Sequence, residues 1–105
     1  MIVVNTEHIA GMEIEKHLGI VSGNTVQAKH IGKDIVGGLR GLVGGKMKEY
    51  EEMFNEARDI AEKEMISQAE NLGADAIVNV RYTSSSIMSG SSEVMVYGTA
   101  VKLKE

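Results

Sequence analysis

The last strand-like segment of the chain, residues 93–103, is apolar on both of its parities. Val94, Val96, Gly98 and Ala100 share one face, and Met95, Tyr97, Val101 and Leu103 share the other. Side chains alternate between the two faces of a sheet, and an antiparallel sheet with one wet face alternates apolar with polar. A strand greasy on both sides therefore needs two covers. The chain has 105 residues, which is one domain's worth, here taken as residues 1–105. A domain of this size buries only about 60–68% of its unfolded surface. One helix layer covers one face of the strand. A second copy of the chain is the economical cover for the other, and an N-terminal strand folded back over it is the intramolecular alternative.

The helix that supplies the first cover is legible in residues 46–72. Met47, Tyr50, Phe54, Ala57, Ala61, Met65 and Leu72 recur at helical spacing, with Ile60 and Ala69 widening the stripe, and the opposite face is charged. Asp59 and Lys63 form an i,i+4 pair in the favourable order. Gly73 stands where a left-handed C-terminal cap belongs.

Residues 13–30 alternate with period two. Ile14, Leu18, Ile20, Val26 and Ala28 lie on the apolar parity, as in one strand or two strands turning at Ser22-Gly23-Asn24, with Gly19 and Gly23 as possible bulges. Residues 76–83 and 93–103 read as a hairpin joined by a Ser/Gly-rich connection from Thr83 to Ser92. In residues 32–45, Gly37, Gly41 and Gly45 would form a stripe without side chains on a short helical segment. Each such glycine costs about 0.5–1 kcal/mol relative to alanine, and close approach of another backbone would offset that. The fold class is α+β: a small antiparallel sheet packed against one long helix, a short glycine-rich helical segment before it, and closure into a homo-oligomeric ring.

Composition narrows the partners. The formal charge of −4 comes from interspersed acids and bases, without the basic stripe that phosphate neutralisation requires, so nucleic acid is not an expected partner. No run approaches the roughly 18 apolar residues of a membrane span. The first eight residues lack the basic start and apolar run of a secretion signal, and the expected location is the cytoplasm. Without cysteine there is no disulfide, no thiolate ligand and no thiol redox chemistry.

The chemistry-bearing candidates are few. His8, His17 and His30 are the only imidazoles. A zinc or copper site needs three or four converging ligands, so these histidines, with Glu13, Glu15 or Asp34, are the candidate set for a divalent transition-metal ion, most simply assembled from several copies in a ring. Surface or hydrogen-bonded histidine is the plainer alternative. Gly44, Gly45 and Lys46 lead into the long helix, whose N-terminal N–H groups favour an anion; tight packing of glycine turns is the plainer alternative there. The P-loop pattern is absent, because Arg40 stands where its first glycine belongs and Met47 follows Lys46. The seven methionines are scattered singly, as core filler is. Ser84, Ser85, Ser86, Ser89, Ser91 and Ser92 carry no nucleophile motif and read as a solvated tip. Asn79 and Arg81 share the parity of Thr83, as a polar floor for a ligand or as partners for carboxylates of a neighbour.

Three stretches go further. These are His30-Ile-Gly-Lys-Asp-Ile-Val-Gly-Gly-Leu-Arg-Gly-Leu-Val-Gly-Gly-Lys46, Leu72-Gly-Ala-Asp-Ala-Ile-Val-Asn-Val-Arg81 and Glu93-Val-Met-Val-Tyr-Gly-Thr-Ala-Val101, with Tyr50 and Glu56-Ala-Arg58 between them. Together they resemble the YbjQ-like family, also described as a heavy-metal-binding domain family. The resemblance implies a small sheet crossed by a long helix, grouped near dodecin-like subunits, and a homo-oligomer with a pentameric ring as its expected form. The expected function is a non-enzymatic homo-oligomeric binding protein, with a heavy-metal ion bound at subunit junctions. The alternative is a structural or anion-binding oligomer that uses the glycine-rich junction without metal.

Overall fold

The computed structural model describes residues 1–28, 45–88 and 91–105. In chain order these form β1 (Ile2–Val3), β2 (Ile14–Ala28), α1 (Gly45–Asn71), β3 (Ala76–Met88) and β4 (Ser91–Leu103). The four strands make one sheet in the order β1-β3-β4-β2. β4 lies at its centre, antiparallel to β2 and β3, while β1 runs parallel to β3. The α+β arrangement is the expected one, but the sheet is mixed rather than antiparallel. β1 starts beside the first residues of β3, and residues 4–13 then carry the chain across to the far edge where β2 begins. The expected glycine-rich helical segment lies outside the described residues apart from Gly45, the first residue of α1.

α1 packs on one face of the sheet, the front. Its buried seam is Met53, Ala57, Ala61, Met65 and Ala69, a row at a strict spacing of four. Such rows are inclined to the helix axis, so the helix crosses the strands obliquely. Phe54, Ile60 and Leu72, expected in the stripe, stay 37–49% exposed along its rim. Three alanines in the seam let the helix backbone come close to the sheet, and the closest approach is over Gly23 of β2. A Cβ there would meet the Ala61 carbonyl oxygen and would lie 2.8 Å from the Met65 nitrogen. The helix ends as expected. Gly73 has φ 78°, its N–H donates to the Glu70 carbonyl at 2.9 Å, and the Ala74 N–H donates to the Ala69 carbonyl at 3.0 Å; these are the two bonds of a Schellman cap.

β2 is one continuous 15-residue strand, with no turn at Ser22-Gly23-Asn24. Its register against β4 shifts between Ile14 and Lys16 and again between His17 and Gly19, where Gly19 takes φ 129°. The second shift reverses the parity. Leu18 packs against the core before it, but after it Val21 and Gly23 face the helix and Ile20 points the other way, 80% exposed. Gly23 is therefore a site of close helix approach and not a bulge. The hairpin is also longer than expected. Ser84 pairs with Val94, and Ser86 with Ser92, so Ser84, Ser85, Ser86, Ser91 and Ser92 are strand and not a solvated tip. The ladder between β3 and β4 takes up those of their backbone groups that face the partner strand.

The two faces of β4 are covered differently. Val94, Val96 and Ala100 are buried on the front, under the helix. On the back, Val101 is fully buried with Ala76 and Val78, beneath Ile2, Val4, Ile9, Ile14 and Leu103. The folded-over N-terminal segment thus covers the C-terminal end of the strand within one chain. Further along the back face, Tyr97 is 41% exposed, and on β2 Val26 is 52% exposed. The described residues span 55 × 22 × 16 Å, with a radius of gyration of 17.2 Å, against about 13 Å for a compact domain of about 100 residues.

Asp75 fastens the turn after the helix to the end of β4. Its Oδ2 accepts from the Leu103 N–H at 2.9 Å, and its Oδ1 accepts from Lys102 Nζ at 3.3 Å. The Leu103 amide holds the carboxyl below its ordinary value of 3.8; burial pushes against this and Lys102 adds to the lowering. A carboxyl whose folded pKa is depressed stabilises the fold above the unfolded pKa, and that contribution disappears as pH falls through the lowered value. Asp75→Asn is therefore expected to flatten the acid limb of the melting-temperature profile below about pH 4. Thermal melts at stepped pH check this; a variant that tracks the parent over the acid range would show that Asp75 does not carry the effect.

Candidate functional site

The crossing segment builds a pocket where it meets the back face. Ile9 and Ile14 anchor it by packing on Ala76, Val78 and Val101. Backbone bonds hold it from the other side: the Asn79 N–H donates to the Thr6 carbonyl at 3.0 Å and the Val80 N–H to the Val4 carbonyl at 3.1 Å. These two successive outward bonds mark a bulge, and the register against β4 shifts between Val78 and Arg81. Asn79 sits at φ 55°, a left-handed conformation that asparagine tolerates better than most residues. The bulge breaks the parity expected for Asn79, Arg81 and Thr83. Arg81 is engaged within the chain: its Nη1 donates to the Asn5 carbonyl at 2.7 Å and to the Val80 carbonyl at 3.0 Å, clamping the crossing segment.

The resulting pocket, about 590 Å³, is lined by Glu7, His8, Ile9, Met12, Glu13, Ile14, His17, Val78 and Asn79. Two of the three candidate imidazoles thus share one concavity with two carboxylates. His8 arrives on the crossing segment, and His17 from β2, where it pairs with Val101 on the back face. His8 Nε2 lies 3.2 Å from Glu7 Oε1, with both side chains largely exposed. Glu13 is drawn to Lys104 Nζ at 3.3 Å. His30 and Gly44 lie outside the described residues, as does Asp34. Gly45 and Lys46 open α1, and the Lys46 side chain is outside the described set.

A second cleft, about 750 Å³, opens between the first half of α1 and the distal half of the hairpin. Glu51, Phe54, Asn55 and Arg58 form one wall, and Tyr82, Thr83, Ser84 and Val94 form the other. Arg58 donates to Asn55 Oδ1, and the Tyr82 hydroxyl donates to Glu62 Oε1 at 2.8 Å. Burial first, and then the hydrogen bond to Glu62, push the Tyr82 phenol above its ordinary value of 10.0. That is the wrong direction for a nucleophile or base at neutral pH. This cleft could not be read from the residues, because its walls come from elements that meet only through tertiary packing.

One helix packed on a four-stranded mixed sheet, with one pocket on the back face and a second cleft beside the helix, defines an α+β subunit. The chain belongs to the YbjQ-like family: the family model, described as "Putative heavy-metal-binding", matches residues 1–104. Among similar proteins, a UPF0145 protein of Colwellia psychrerythraea is 57% identical over 105 residues, covering 100% of both chains. One from Thermosipho africanus is 56% identical over 105 residues, covering 100% of this chain and 97% of its own. One from Methanosarcina acetivorans is 53% identical over 103 residues, covering 98% and 97%. A crystal structure of a Pediococcus pentosaceus protein of unknown function, from the DUF74 family, has the same fold at a TM-score of 0.68, with 17% identity and coverage of 99% and 98%.

The family description invites a test of fit. Among the described residues no three His, Cys, Asp or Glu side chains converge as a metal site. One copy therefore brings two imidazoles and two carboxylates to one pocket without arranging them as a complete ligand set. No helix among the described residues is long and apolar enough to cross a membrane.

Proposed function

We propose that this is a non-enzymatic binding protein that works as a closed homo-oligomeric ring, a pentamer by family resemblance, whose ligands bind at the junctions between copies. The observation that carries the proposal is the state of β2. It is an edge strand, yet Ile20 is 80% exposed on it and Val26 is 52% exposed. Scattered apolar side chains are ordinary on a surface. Ile20, however, does not stand alone: its pairing with Thr99 and that of Ser22 with Tyr97 place it diagonally beside the half-exposed Tyr97. Contiguous apolar surface of this kind marks an interaction site. The elongated shape points the same way, since a lone domain of this length that hid its apolar surface would be rounder.

A heavy-metal ion is the ligand that the family description suggests. The pocket of His8 and His17 is the place for it, with the missing donors supplied by a second copy, and His30 completes the candidate set. The Gly44, Gly45 and Lys46 junction is the corresponding place for an anion.

Light scattering and thermal shift together test the proposal. A multimer whose melting rises stoichiometrically with Zn²⁺, Cu²⁺ or Ni²⁺, and loses that response in His8→Ala/His17→Ala/His30→Ala, is the expected result. A multimer indifferent to all three ions would remove the metal and leave the ring. A stable monomer at micromolar concentration would remove the ring.

A further inference from the structure

Among the described residues, β4 is paired on both sides, but its two long neighbours are not. β1 covers β3 only at Ala76 and Ile77, with the Val4 and Thr6 carbonyls taking the next outward N–H groups. Beyond that point no described strand lies along the outer side of β3, and none lies along the outer side of β2. An edge is a row of unpaired backbone donors and acceptors, and proteins that stay single guard it with charges, proline, bulges or brevity.

Here most of the guards stand at one end, and the one irregularity beyond it among the described residues of β3 is the register shift between Ser86 and Met88 at the hairpin tip. The first residues of β2 carry Glu15, Lys16 and the irregularity before Gly19. The first residues of β3 are covered by β1 and followed by Arg81. The remaining stretches, residues 20–28 of β2 and 82–88 of β3, contain no Lys, Arg, Asp, Glu or Pro. Both run to the hairpin-tip end of the sheet, where Ala28 pairs with Ser91 and Ser86 with Ser92.

The outward backbone groups can be named. The Ser22 N–H donates to Gln68 Oε1 at 3.1 Å and not to β4, so it faces the outer side. Alternation along an antiparallel pair then turns Asn24 and Val26 outward as well, and Val21, Gly23 and Thr25 towards β4. On β3 the Val80 N–H points outward, to Val4, and the unbroken register from Arg81 to Ser86 places Tyr82, Ser84 and Ser86 outward.

We propose that the outer edge of β3 in one copy pairs with the outer edge of β2 in the next, head to tail and in parallel, along residues 82–88 and 20–28. The inference rests on the self-assembly proposed above and names the surfaces that join. A second copy is the fitting occupant because one chain carries both halves of the contact: two uncharged edges of similar length, at the same end of the sheet, running in the same direction. Both are antiparallel to β4, so a rotated copy that keeps its helix on the same face presents β2 parallel to β3. Such a contact leaves one free edge at each end of any open chain of copies and is satisfied only by closure. Pairing of like edges, β2 with β2 or β3 with β3, would be antiparallel and would stop at a dimer with its other edges bare. Because the natural chain lacks cysteine, cross-links can be placed without background.

The test combines a proline with engineered thiols. Ser84→Pro removes an outward N–H from an edge strand, where proline is tolerated, and should give a monomer with the parent's circular dichroism. Thr83 and Ser85 on β3, and Asn24 and Val26 on β2, carry side chains on the back face. Variants pairing Thr83→Cys or Ser85→Cys with Asn24→Cys or Val26→Cys should yield, with a short bismaleimide, a ladder of covalent multimers that no single-cysteine variant gives. If the parent is a multimer but Ser84→Pro assembles like it, or every cysteine pair fails to give a ladder, the edge contact is wrong and the copies meet elsewhere. If the parent is a monomer, self-assembly itself fails and the edge contact with it.

Discussion

Replacing Gly23 with alanine lowers the melting midpoint by about 12–24 °C, as a loss of about 3 kcal/mol does in a domain of this size. Gly23 sits on β2 directly under the helix. The added methyl group would fall on the Ala61 carbonyl oxygen, and within 2.9 Å of the Ala61 carbonyl carbon and 2.8 Å of the Met65 nitrogen. All three are helix backbone atoms, so no rotamer change relieves the contact. The helix must lift away, and with it the fully buried Ala61, Met65 and Ala69 that pack over Val21, Val96 and Ala100. Overpacking a core costs about 1–3 kcal/mol and occasionally more; a clash with backbone belongs at the top of that range. Gly73→Ala is the useful contrast. Nothing lies within 4 Å of its added methyl, and only the positive φ of 78° opposes it, at about 1–2 kcal/mol. Melting followed by circular dichroism ranks the two. If Gly23→Ala melts within about 4 °C of the parent, a change of no more than about 1 kcal/mol, the helix backs away freely and the close approach is not what holds it.

What could be anticipated from the residues followed from local periodicity, and what could not was decided by a single register step. The helix, its cap at Gly73 and the double-sided character of β4 needed only spacing and side-chain type. β2 defeated the same logic because the shift between His17 and Gly19 exchanges the faces of everything after it, so that Ile20 is exposed while Val21 is buried. Most of the helix seam was legible too: Ala57, Ala61, Met65 and Ala69 are buried as their spacing predicts, and its start differs because the oblique crossing buries Met53 and leaves Phe54 at the rim. Gly23 looked like a possible bulge; its role depends on a helix some 40 residues away in sequence.

The candidate site was less legible still. His8 and His17 could be picked out by residue type, but their meeting in one pocket requires the crossing of residues 4–13, which no local pattern announces. That crossing is driven by burial of Val101 and Val78 under Ile9 and Ile14 and secured by the Asn79 bulge. Asparagine at that position was the one available hint, since it is among the few residues that accept a left-handed backbone. The clamp by Arg81 on the Asn5 carbonyl could not be read either, because a backbone acceptor leaves no mark in the sequence.

If the copies join along β2 as proposed, Ile20→Glu dissolves the ring into 11.3 kDa subunits while leaving each subunit folded. The two halves of that statement have separate causes. In one copy Ile20 is 80% exposed, so a carboxylate there remains hydrated and removes no packing from the core. In a ring joined along β2, a neighbouring strand lies beside that residue. Burying an isoleucine contributes about 1.5–3 kcal/mol, which the variant forfeits at every junction, and an unpaired carboxylate pressed against another copy adds a desolvation cost of its own. Each 1.4 kcal/mol weakens an association tenfold, so a loss of about 3 kcal/mol or more weakens each junction by at least about a hundredfold, and a ring fails when its junctions fail together. Light scattering at micromolar concentration reads the mass, and circular dichroism reads the fold. Ile20→Val keeps the apolar surface and should stay assembled. A glutamate variant with the parent's mass would place Ile20 outside every junction, and the exposure of β2 would then have some cause other than a missing neighbour.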